Sequence, residues 1–104
     1  MNFKKTLIKT LATTSLLVLL TQTASAVSAA NGKDLHDESC IACHTSLTNG
    51  QPTSIYTRSD RKFNTLKGLN KQVMRCQNSV GANWFDDQIA DVVEYLNTNY
   101  YKVK

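Results

Sequence analysis

Three cysteines and two histidines are the side chains of this sequence best suited to chemistry: Cys40, Cys43, Cys76, His36 and His44. Three of them are packed into Cys40-Ile41-Ala42-Cys43-His44. Two thiols one helical turn apart, followed at once by an imidazole, form the C-x-x-C-H pattern of haem c attachment. Each thiol can make a thioether to one haem vinyl group, and His44 then reaches the iron from the same side. Other chemistries fit this spacing less well. A redox dithiol normally sits in a βαβ context, which the surrounding pattern lacks. Zinc needs four converging ligands, and the adjacent Cys43 and His44 are poorly placed to share one tetrahedron. A Cys40–Cys43 disulfide would be sterically tight on a helix.

The elements that must hold this motif occupy only part of the 104 residues. Residues 1–26 read as a cleaved secretory signal. Lys4, Lys5 and Lys9 form the positive start, Leu11–Leu20 the apolar stretch, and Ala24-Ser25-Ala26 the small-residue cleavage site. The apolar stretch is too short to span a bilayer. Cleavage leaves residues 27–104, 78 in all, as one domain. The whole chain carries +4, but three of its twelve Lys+Arg lie in the signal, so nine cations face eight anions in the remainder. Such a balance offers no concentrated cationic face for nucleic acid or anionic lipid. A core of this size needs a staple, and three cysteines in an exported chain leave one thiol to be explained.

The period along the chain is helical and never that of a strand, which predicts an all-α domain. Residues 27–32 are small and polar and read as disordered up to Gly32. A helix is expected over Gly32–His44, and residues 45–60 form a loop marked by Asn49-Gly50 and Pro52. A second helix is expected over Phe63–Cys76, with Leu66, Leu69, Val73 and Cys76 on one apolar stripe. Residues 78–83 read as another loop, and the last helix starts near Asp86, where acidic side chains suit the macrodipole. Ile89, Val92, Val93, Leu96 and Tyr100 should form its buried face.

With these residues in place, the chain resembles the small periplasmic class I c-type cytochromes. Gly32 lies eight residues before Cys40, and residues 84–96 (WFDDQIADVVEYL) look like the closing helix of that family. The resemblance implies a helical fold wrapped around one covalent haem c, with crossed N- and C-terminal helices meeting at Gly32 and Tyr95. His36 stands where these proteins commonly carry an aromatic and is expected to pack at the crossing. The family usually supplies a sixth ligand, a methionine, from a loop before the last helix. This chain offers Met74 and Cys76 in that window. Residues two apart on a helix point roughly 200° apart, so only one can face the haem. Cys76 shares the apolar stripe, and iron ligation would account for the odd thiol. Cys76 is therefore the expected distal ligand, as in His/Cys-ligated relatives. Met74 reached from an unwound helix end, or an open site, is the alternative. The resemblance also suggests the Pro52 carbonyl as partner of the His44 ring. Tyr56, Arg58 and Arg61 could hydrogen-bond haem propionates, because a guanidinium suits a carboxylate; solvated charges on a loop are the alternative. Trp84 and Tyr95 are expected to pack in the core or at the haem edge.

The function implied is that of a periplasmic electron carrier with one haem c. It would dock transiently on redox proteins, with no nucleic-acid partner and no membrane span after cleavage. No Ser-His-Asp set or convergent carboxylate pair points to an enzyme. The alternative is a thiolate-ligated haem subunit of an enzyme or sensor, for sulfur-compound oxidation or small-ligand binding.

Overall fold

The computed structural model describes residues 26–104; the signal sequence expected over residues 1–26 lies almost wholly outside them. Four α-helices follow in order: α1 (Ala29–Ser39), α2 (Ile41–Leu47), α3 (Leu66–Val80) and α4 (Asp86–Leu96). A 3₁₀ turn (Ser54–Tyr56) and a π-helical turn (Asn97–Tyr101) complete the described structure, and no strand occurs in it. Among these residues no helix is long and apolar enough to cross a membrane.

The ordered chain begins earlier than its composition predicts. Residues 27–32 were expected to be disordered, yet α1 starts at Ala29. Ser28 caps it, its Oγ accepting from the Asn31 N–H at 3.1 Å. Asp91 of α4 then ties this start down. Its carboxylate accepts from the Ser28 N–H at 2.8 Å and from the Asn31 amide at 2.7 Å. Composition could not reveal a partner sixty residues away.

The crossing of α1 and α4 is backbone on backbone. A Cβ on Gly32 would lie 1.9 Å from the Asp91 carbonyl oxygen and 2.9 Å from the Val92 nitrogen. The expected Gly32–Tyr95 pairing is thus corrected to Gly32 against Asp91–Val92. Tyr95 sits farther along α4, against His36, with ring centroids 5.3 Å apart.

The helix expected over Gly32–His44 is bent at Cys40, whose φ of −111° departs from helical values. The Cys40 N–H still reaches the His36 carbonyl, and the His44 N–H the Cys40 carbonyl, so α2 continues α1 with a kink. α3 is shifted from Phe63–Cys76 to Leu66–Val80. Thr65 caps its start by accepting from the Gly68 N–H. Gly81, left-handed at φ 71°, closes its end, with the Gly81 and Ala82 N–H groups on the Asn78 and Gln77 carbonyls. Leu69 and Val73 are buried as expected, whereas Leu66, in the first turn, is exposed.

The start of α4 at Asp86 and its buried Ile89, Val92, Val93 and Leu96 match expectation, and Tyr95 joins them. Tyr100 does not. The π turn after Leu96 adds one residue to the helical period, with the Lys102 N–H reaching the Asn97 carbonyl, and Tyr101 becomes the buried ring. The core of Tyr56, Leu69, Val73, the α4 face and Tyr101 lies beside the attachment motif.

Candidate functional site

α2 carries Cys43 and His44, and the kink residue Cys40 precedes it. α3 approaches from the other side and contributes Cys76. A cavity of about 180 Å³ between them is lined by Cys40, Cys43, His44, Leu47, Cys76, Ser79 and Val80, with Ser39 at its edge. Its walls are thiols, one imidazole, two serines and aliphatic groups. Cys40 and Cys76 also line a smaller, deeper cavity of about 40 Å³ that reaches Tyr56, Leu69, Val73 and Trp84. Met74 lies off both and is 43% exposed. The fold therefore brings Cys76 to the motif and leaves Met74 outside.

Electrostatics differ from thiol to thiol. Burial, then the neighbouring Cys76 and Cys43, pushes the Cys40 thiol up to about 11. Burial raises the Cys76 thiol too, while the Gln72 amide and the Arg75 guanidinium act against it. That amide donates to the Cys76 sulfur at 3.2 Å, from one turn earlier on α3. All three cysteines are free. Burial and nearby His36 hold His44 below the usual imidazole range, and a backbone hydrogen bond to Pro52 opposes them. A neutral ring keeps the lone pair that a metal needs.

His36 is buried at the crossing, as expected, at 1% exposure. Tyr56 is placed quite differently from its expected role at the propionates. Its hydroxyl lies 2.7 Å from His36 Nε2 and 2.7 Å from His44 Nδ1, bridging the two imidazoles. Burial raises its hydroxyl far above the ordinary tyrosine range. Arg61 is also engaged within the fold. It donates to the carbonyls of Tyr56 and Tyr101 and to the Asn64 side chain, and lies over the Tyr101 ring. Arg58 pairs with Asp60 at 3.3 Å. Together with Lys62 and Arg75, these two arginines line a basic cleft of about 280 Å³ next to Tyr56 and Gln72. Trp84 packs against the core, and its backbone N–H donates to the side-chain oxygen of buried Gln77.

Two of these features escaped the sequence. Gln72 stands four residues before Cys76, a helical spacing that could have flagged it. Tyr56 comes from a loop, and no local pattern links it to His44.

A cytochrome c family model matches residues 29–99. The chain belongs to the cytochrome c family. Haem-based electron transfer comes with that membership, and so does covalent attachment of haem c. No curated protein and no solved structure matches the chain. The residues present fit haem c: two thiols and an imidazole share one apolar cavity, and the smaller cavity that Cys40 and Cys76 also line leads to the basic cleft through Tyr56 and Gln72. Among the described residues no group of three or more His, Cys, Asp or Glu side chains is placed to hold a bare metal ion.

Proposed function

We propose that residues 27–104 are the mature form of a periplasmic carrier of single electrons, holding one haem c. Cys40 and Cys43 would make the two thioethers, His44 would be the proximal ligand and Cys76 the distal one. When bound, the haem supplies a ferric–ferrous couple. The chain's own residues position the ligands, limit water at the site and set the electron density on the two donors. Arg58, Lys62 and Arg75 provide cations for the propionates, while Arg61 chiefly braces Tyr56 and Tyr101.

The observation that carries this reading is the cavity shared by Cys40, Cys43, His44 and Cys76, with Met74 on the outer side of α3. Exposed Leu47 and Val80 flank the same cavity, which gives transient redox partners an apolar rim to approach. The test is ferric absorption and electron paramagnetic resonance on protein matured with haem. A low-spin thiolate signal, lost in Cys76→Ala and kept in Met74→Leu, is expected. The reverse result would replace Cys76 by Met74. Colourless protein without covalent haem would end the carrier reading itself.

A further inference from the structure

A chain of hydrogen bonds runs from the surface to the attachment motif. Asp37 Oδ1 lies 3.0 Å from His36 Nδ1, His36 Nε2 lies 2.7 Å from the Tyr56 hydroxyl, and that hydroxyl lies 2.7 Å from His44 Nδ1. His36 and Tyr56 are 1% and 4% exposed, so their polar atoms must find partners inside the protein.

Donor and acceptor rules give this chain a direction. Asp37 is held ionised by the Lys33 ammonium at 2.6 Å and by His36, and a carboxylate only accepts. His36 Nδ1 therefore donates. With His44 as the proximal ligand its Nε2 lone pair is taken, so its Nδ1 carries the ring proton and donates to the Tyr56 oxygen, and the single Tyr56 hydroxyl proton goes to His36 Nε2. A neutral ring protonated at Nδ1 has its lone pair on Nε2.

We propose that Tyr56, oriented by His36 and Asp37, is the positioning residue that fixes His44 with Nδ1 protonated and Nε2 free to bind a metal. The inference rests on His44 being the proximal ligand. It adds a buried side chain to the Pro52 backbone hydrogen bond of His44, the partner that the family resemblance suggested. A partner at Nδ1 makes the ligand more basic, which favours ferric over ferrous iron.

The test compares haem-loaded wild type with Tyr56→Phe, which keeps the ring packed against Tyr100 and Tyr101 and removes only the hydroxyl. The ferric–ferrous equilibrium should move toward ferrous by about tenfold, which is about 59 mV of higher potential for one electron. In the ferrous protein the His44 Nδ1 proton should exchange faster with solvent. A merely structural tyrosine would lower the melting temperature without moving the potential. An unchanged or lowered potential overturns the proposal, as does nuclear magnetic resonance showing His36 protonated on both nitrogens. Absorption of the denatured pyridine complex reports thioether haem separately. Its absence in wild type would sink the carrier reading, whereas its presence with an unshifted potential would sink only this inference. If Tyr56→Phe does not accumulate, Asp37→Asn at the surface weakens the same chain. A smaller rise in potential is then expected, and no rise overturns the proposal.

Discussion

The sulfur of Cys76 receives one N–H bond, from Gln72. Such a donor withdraws electron density from a thiolate and makes reduction of a bound metal easier. Gln72→Leu should therefore lower the midpoint potential of the haem-loaded protein, measured by spectroelectrochemistry, with little change in the fold. A potential that stays or rises would mean the amide leaves the sulfur when haem is present. Arg61 makes a different claim. Its guanidinium reaches two carbonyls and Asn64 at once, a fork that lysine cannot copy. Arg61→Lys should cost about 2 kcal/mol in urea unfolding, since each lost bond to a charged donor is worth about that much. At this scale the sequence was informative where chemistry was contiguous. Cys40, Cys43 and His44 sit within five residues, and the helix phase separated Cys76 from Met74. Tyr56 was readable only as a loop aromatic, because its meaning depends on two histidines that folding brings to it.

The crossing of α1 and α4 depends on a missing side chain. A methyl group on Gly32 would meet Asp91 backbone that cannot swing aside. Gly32→Ala should therefore cost about 3 kcal/mol or more, the upper end for overpacking, seen as a lowered melting temperature. Asp91→Ala should act more gently and locally. It deletes two hydrogen bonds to the start of α1, so amide exchange at Ser28 and Asn31 should quicken while the centre of α4 stays protected. Helix identity was legible here because Leu69, Val73, Ile89, Val92, Val93 and Leu96 keep a 3.6-residue period. Boundaries were less so. Thr65 and Gly81 carry recognisable cap chemistry, but the capped start at Ser28 is held by a distant carboxylate. The π turn that exchanges Tyr100 for Tyr101 follows no pattern in the residues themselves.

The whole domain buries few large side chains: Tyr56, two residues of α3, five of α4 and Tyr101 form its apolar core. So small a core is marginal alone. A variant with both Cys40→Ala and Cys43→Ala, which on the proposed attachment would not retain haem, should show weak, broad thermal unfolding by circular dichroism. A sharp cooperative transition near that of the haem-loaded protein would show that the helices need no staple. The clasp between Ser28 and Asp91 also sets a timetable. Its halves are 63 residues apart, so α1 cannot dock until almost the entire chain has been delivered. Until then the attachment motif rides on an open helix with its thiols accessible. Once the fold closes, Cys40 is half-buried and its thiol is pushed up to about 11, a poor starting point for adding sulfur across a vinyl bond. On the proposed attachment at Cys40 and Cys43, haem would be taken up between arrival of the motif and arrival of α4, with the last helix as the latch.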